Sequence, residues 1–474
     1  MAALHDLTAL EQAAGIRLGQ ISPVELVDHY LDRIDRIGDQ VGAFVTVTDE
    51  IARAQAKDAE DTLRSADAAL LPPLFGVPTA IKDLNLTAGI RTTLGSRVFA
   101  DFIPPVDDHV VTLLRAAGTI SLGKTNTPEF GLPCYTENAL CPPARTPWDL
   151  SRSAGGSSGG AAAAVAAGLV PFAQGSDGGG SIRIPASVCG LFGIKVSRGR
   201  ISNGPIGGDT NGLAWNGPIT RTVRDAAAML DAMAVPMPGD PHWAPPLAGG
   251  ASFLSYAGRP PGRLRVGRFC APQITETQVH PDVLAAWEDA STLLGELGHE
   301  VVDIVPPFTP AAVPLFEALW SVAAHGAPVD PARQDELSPL TRWLRANGAK
   351  VTGPQYVAAL STLQMLSRRS IAETAQYDVV LTPTLAQPPV PVGWFTDGAD
   401  PAENFERQKR FTPFTSVYNM TGQPAVNVPL YWADGLPIGV MLVGRPAGEA
   451  QLISLAAQLE DARPWAERHP DLWT

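Results

Sequence analysis

Residues Gly155 to Arg183 read GGSSGGAAAAVAAGLVPFAQGSDGGGSIR. Two glycine-rich serine clusters, Gly155-Gly156-Ser157-Ser158-Gly159-Gly160 and Gly175-Ser176-Asp177-Gly178-Gly179-Gly180-Ser181, flank a run of small apolar residues. Glycine this dense costs backbone entropy on folding, so a chain keeps it where the backbone bends sharply or passes close to a ligand. Consecutive glycines ahead of a serine leave bare N–H groups beside a hydroxyl. Acyl transfer asks for that pairing: a nucleophile, and donors aimed at the oxyanion it creates. The alanine run 161–168 reads as a helix whose small side chains pack tightly behind the serine loops, and 169–174 as a buried strand.

Outward from this stretch the chain alternates helical and strand patterns, which predicts an α/β fold. Helices are expected over 10–17, over 22–37 with Ser22 as cap and Pro23 in the first turn, and over 51–70. Further helices are expected over 108–117, over 223–234 capped by Thr222, over 281–297 and over 450–462. Strands are expected at 119–122, 264–268, 300–304 and 378–383, with 419–429 and 436–444 as a pair. Residues 123–129 read as a turn and 236–262, rich in proline and glycine, as a long surface connection. The run Leu74-Phe75-Gly76-Val77-Pro78-Thr79-Ala80-Ile81-Lys82-Asp83-Leu84 is apolar and carries one lysine, an ammonium costly to bury unless it is paired or loses its proton.

The 474 residues are 45% hydrophobic and 18% charged, too apolar for disorder. A net charge of −13 disfavours a nucleic-acid surface. The scattered Cys134, Cys141, Cys189 and Cys270 form no CxxC pair and read as free thiols of a reducing compartment. The start MAALHDLTAL shows no export signal, and the apolar run 161–173 is short of the about 20 residues a membrane span needs. The expectation is a cytoplasmic protein with neither membrane nor nucleic-acid partner.

Three local motifs mislead. Gly118-x-x-x-x-Gly123-Lys124-Thr125 matches a phosphate-binding loop, but its first glycine closes a helix and Pro128 interrupts any helix after it. Gly156-x-Ser158-x-Gly160 imitates a nucleophile elbow, yet polar residues rather than a strand precede it, and no histidine sits in a catalytic setting. Ser121-x-x-Lys124 matches a β-lactamase pair without its companion motifs.

Taken in order, GVP-x-x-IKD around Lys82, GKTN-x-PE at 123–129, GGSSGG at 155–160, GSDGGGSIRIPA at 175–186 and NMTGQPA at 419–425 resemble the amidase signature family of serine hydrolases. The resemblance covers nearly the whole chain. It implies one α/β domain over 1–474, with a large central mixed β-sheet flanked by helices on both faces. Within it, 1–70 would be N-terminal helices, 71–235 and 376–474 the catalytic core, and 236–375 a variable insert shaping the substrate pocket. It implies a Ser–cis-Ser–Lys triad: Ser181 as nucleophile, Ser157 as bridging serine on a cis peptide bond, Lys82 as base. The oxyanion hole would be the N–H groups of Gly178, Gly179, Gly180 and Ser181, with Ser158, Asp177 and Arg183 supporting the loops. Pocket walls are expected at 131–135, 207–215, 316–325 and 410–418, with Gly131, Leu132, Tyr135, Phe316 and Trp320 foremost. No metal or cofactor is required.

These roles are chemically coherent. A serine hydroxyl needs a base, and a lysine serves as one when it is neutral, which the apolar neighbours Ala80, Ile81 and Leu84 favour. A second serine, both donor and acceptor, can pass the proton between them. The expected activity is hydrolysis of carboxamide C–N bonds in aliphatic and aryl amides, extending to carbamates (urethanes) and esters, on small-molecule substrates, by a monomer or homodimer. Two other readings stand beside it: the glutamine-hydrolysing subunit of a tRNA amidotransferase, and an inactive binding protein.

Overall fold

A computed structural model describes residues 3–207 and 210–474. Its strands are β1 (Phe44–Val47), β2 (Pro78–Lys82), β3 (Ile120–Thr125), β4 (Phe172–Asp177), β5 (Phe192–Lys195), β6 (Trp215–Thr220), β7 (Arg265–Arg268), β8 (Glu300–Asp303), β9 (Val379–Pro383), β10 (Ala425–Ala433) and β11 (Leu436–Gly444). They form one 11-stranded sheet in the order β1-β3-β2-β4-β6-β5-β10-β11-β9-β7-β8. The sheet is mixed: β2 runs parallel to β3 and β4, and β7 to β8 and β9, while the remaining neighbours are antiparallel. The expected large mixed sheet flanked by helices is therefore the observed one.

Local chemistry accounts for most elements. The Ser22 hydroxyl accepts from the N–H groups of Val24 and Glu25 and opens the helix Pro23–Val41. That helix buries Leu26, Val27, Tyr30, Leu31 and Ile34 in the main core, each worth about 1.5–3 kcal/mol. Strands β10 and β11 pair antiparallel through a turn at Asp434-Gly435, where both residues take positive φ, 49° and 77°.

Some boundaries differ from expectation. The strand expected at 119–122 runs on to Thr125 as β3, because 123–125 pair with both β1 and β2, so the turn begins later. The strand expected at 169–174 is shifted to Phe172–Asp177 by its pairing with β6. The helix expected over 51–70 spans Asp49–Ser65. The phosphate-loop imitation is a strut: Lys124 is fully buried in β3, and its ammonium donates to Asn85 O, Thr87 Oγ1 and Thr92 Oγ1.

The sheet order places the chemistry. Strands β2 and β4 are parallel neighbours, so their C-terminal ends emerge on the same side. One end carries Lys82 and the other Ser176 and Asp177. Ligands of open α/β sheets bind at such carboxyl ends.

The chain ends meet in a histidine cluster. His5 Nδ1 lies 2.9 Å from His29 Nε2, and its Nε2 lies 2.9 Å from Trp473 O. Burial first, then the Arg33 guanidinium, lower the His5 imidazole from its usual value near 6.5 to about 4, against the partial opposition of Asp6. Between these two values the unfolded chain binds a proton that the folded chain refuses. The stability contributed by neutral His5 is therefore present above about pH 6.5 and lost as pH falls toward about 4. A wild-type chain should lose more denaturant resistance than His5→Gln across that window; parallel loss in both would remove the cluster from the account.

Candidate active site

Lys82 ends β2. Its backbone N–H donates to Gln174 Oε1 at 2.9 Å, which seats it against β4. Its side chain is wholly buried. The Nζ donates to Ser157 Oγ at 2.8 Å and lies 3.0 Å from Ser176 Oγ and 3.2 Å from Ser176 O. Desolvation lowers this amine to about 7, only partly opposed by the negative charge of Asp177. A lysine so placed is substantially neutral near neutral pH.

Ser157 follows a cis peptide bond from Gly156. Residue 156 has to be glycine, because a Cβ there would lie 2.7 Å from the Tyr135 backbone. Ser158 precedes the helix Gly159–Ala166, built of glycine, alanine and one valine, all buried. Its hydroxyl donates to Ser176 O at 3.1 Å and accepts from Ser176 N at 3.2 Å, and its N–H donates to Ser181 O at 3.1 Å. Ser158 thus ties the two serine loops together and is not an elbow nucleophile.

The second loop is held by a buried ion pair. Asp177 and Arg183 are both fully buried, and Arg183 Nε and Nη2 each donate to the carboxylate at 2.9 Å. Asn419 Nδ2 adds a bond at 2.8 Å, and the N–H of Ile182 one at 3.1 Å. Burial pushes the Asp177 carboxyl up, but Arg183 and these donors outweigh it and hold it well below the usual carboxylate range. Arg183 goes on to Thr415 O at 2.8 Å and Asn419 Oδ1 at 2.7 Å, tying the loop to the segment before β10. Arg183→Met should cost about 3–5 kcal/mol, because it strands a buried carboxylate. Chemical denaturation measures it, and a wild-type midpoint would show that the pair does not hold the loop.

One expected donor is otherwise engaged. The N–H of Gly180 donates to Asp177 Oδ1 at 2.7 Å, so it is committed to the loop and not open to an oxyanion. Among the described residues, the N–H groups of Gly178, Gly179 and Ser181 make no hydrogen bond. Neither does the Ser181 hydroxyl, so its expected link to Ser157 is not closed in this structure.

Ser181 and Gly179 open onto a cavity. Of the expected walls, Leu132, Phe316 and Trp320 line it. Phe316 and Trp320 stack with ring centroids 5.3 Å apart and cover the glycine loop. Tyr135 does not line it: its ring stacks on Phe395 at 4.7 Å and its hydroxyl accepts from Asn404 at 2.8 Å, behind the Gly156 turn. Gly131 is not part of the wall either; it backs Ser157, whose Oγ would lie 3.2 Å from a Cβ at that position. Of the expected wall 207–215, residues 208 and 209 lie outside the described residues.

Sequence reading missed the helix Pro401–Phe411, which brings Phe405, Gln408 and Lys409 to the cavity. Its start was signalled by Asp400, whose side chain accepts from Glu403 N, and by Pro401 in the first turn. Ser176 was also missed as a partner of Lys82.

A buried lysine, two serines and a glycine loop on the carboxyl ends of a mixed sheet define the class to which comparison points. The Amidase family model matches residues 25–453, and the chain belongs to that family. An acylamidase of Rhodococcus erythropolis is 35% identical, covering 98% of each chain. Among solved structures, 6-aminohexanoate cyclic dimer hydrolase superposes with a TM-score of 0.91 at 32% identity, covering 100% of both chains. A bacterial aryl acylamidase of the amidase signature family superposes at 0.87 and 28% identity, covering 98% of both. The chain is an amidase signature hydrolase. Among the described residues, no helix is long and apolar enough to cross a membrane.

Proposed function

We propose that this chain hydrolyses carboxamides through an acyl-enzyme on Ser181, with Ser157 relaying the proton and Lys82 as base. One observation carries the reading: a fully buried lysine, lowered to about 7, donates to Ser157 at 2.8 Å. In the proposed sequence, Ser181 Oγ attacks the carbonyl carbon and its proton passes through Ser157 to Lys82. The tetrahedral oxyanion is met by the N–H groups of Gly178, Gly179 and Ser181. The proton returns through Ser157 to the leaving amine, the C–N bond breaks, and water releases the acid by the same path. Catalytic hydrogen bonds commonly tighten only with substrate bound, which accommodates the open Ser181 hydroxyl.

The cavity walls favour small, largely apolar acyl groups, both aliphatic and aryl. The segment 236–375 shapes this specificity, because Ile274, Val313, Phe316 and Trp320 reach the cavity from it. Carbamates and esters enter the same mechanism, an ester leaving more easily than an amine. The test is a hydrolysis panel of an aliphatic amide, an aryl anilide, an aryl carbamate, glutamine and a p-nitrophenyl ester. Amide cleavage by the purified chain supports the reading, and no cleavage of any amide overturns it.

A further inference from the structure

Two helices face each other across the cavity with the same spacing. Val313, Phe316, Glu317 and Trp320 line it from the helix Val313–Gly326; Phe405, Gln408, Lys409 and Thr412 line it from Pro401–Phe411 and its C-terminal cap. Both sets follow the i, i+3, i+4, i+7 rule of a single helix face. Each face carries one charge, at the same step, and the two meet: Lys409 Nζ lies 2.7 Å from Glu317 Oε1. Among the described residues, Glu317 and Lys409 are the only charged side chains lining this cavity.

The pair is not balanced. Lys409 also binds Glu406, at 2.6 Å, so one ammonium faces two carboxylates and the group keeps a net negative charge. Among the described residues, Glu317 Oε2 makes no hydrogen bond. The surrounding wall is apolar, from Ile274, Val313, Phe316, Trp320 and Met420, which strengthens the field of the surplus carboxylate. An anionic substrate end would meet like charge here, and a neutral one would leave the carboxylate uncompensated. A cation completes the site.

We propose that Glu317 is a specificity-determining residue that receives a protonated aliphatic amine at the far end of the acyl chain, so that amides of ω-amino acids are preferred substrates. This rests on the amide-hydrolase reading above. The test compares kcat/KM for ω-aminoacyl anilides with that for fatty-acyl anilides of the same chain length, in wild type, Glu317→Gln and Lys409→Met. The wild type should favour the ammonium series. Glu317→Gln should lower that preference about tenfold. Lys409→Met should raise it, because the carboxylate then loses its internal partner. Both variants break the same ion pair, so a pair that only fastens the helices together would shift preference the same way in both, and that result overturns the proposal, as does a wild type without preference. Calorimetry of ω-amino amides against fatty amides on Ser181→Ala reads the same preference without turnover. A preference there, with no hydrolysis by wild type, would sink the hydrolase reading and leave the cation site standing. Equal affinities there would overturn the cation site.

Discussion

Ser181→Ala is expected to lower kcat/KM by about 10⁴-fold or more for every amide the wild-type chain cleaves. The size follows from the proposed role, since no other hydroxyl stands at both the cavity and the glycine loop. Ser157 is buried against Lys82, and the hydroxyl of Ser158 is consumed by Ser176. The Ser181 side chain makes no hydrogen bond among the described residues, so its removal should leave the unfolding midpoint where it was. Lost turnover with an intact fold is thus the expected pair of results. Near wild-type turnover in the variant would remove Ser181 as nucleophile. Loss of turnover together with a collapsed midpoint would assign it a structural role instead.

Lys82 should show the second-largest effect, and its sign with pH is specific. The base has to be neutral to accept a proton. Burial lowers the amine to about 7, so the active form prevails above that value and is lost as pH falls through it. The kcat/KM profile should rise through about pH 7 and level off on the alkaline side. Lys82→Ala should lose about 10²–10⁴-fold and with it the acid limb. Lys195, fully buried at the end of β5, is lowered by burial first and then by Arg183, also to about 7, so it titrates in the same window. Lys195→Met separates the two: a limb that persists in that variant belongs to Lys82, and a limb that disappears belongs to the Lys195 network. A flat profile in wild type would count against a lysine base altogether.

The apolar setting of Lys82 was legible because 74–84 is a local run whose alternation and β-branched residues dictate a buried strand. The serine loops were legible for the same kind of reason: clustered glycines have few other uses, and their motifs occur in order. Asp177 and Arg183 lie close in sequence, and their pairing needs only one turn of chain. Paired β10 and β11 were readable from two apolar runs around Asp434-Gly435.

Other features depended on which strands become neighbours. Lys82 meets Ser176 because β2 and β4 are parallel and adjacent, a contact between residues far apart in the chain that no local pattern specifies. Gly180 N–H turning to Asp177 rather than to the cavity is a matter of loop conformation, which composition leaves open. Tyr135 was a plausible wall by its place in the chain, and the stack on Phe395 draws it elsewhere. The Glu317–Lys409 pair lies deepest in this category. Each residue looks like an ordinary surface charge on an amphipathic helix, and only the packing of the two helices turns both inward onto one cavity. Sequence alone thus determined the sheet-and-helix class, the family and the candidate nucleophile, because local glycine chemistry and hydrophobic periodicity are written in neighbouring residues. Tertiary structure decided the free oxyanion donors, the cavity walls and their charge, because these arise where distant segments desolvate one another.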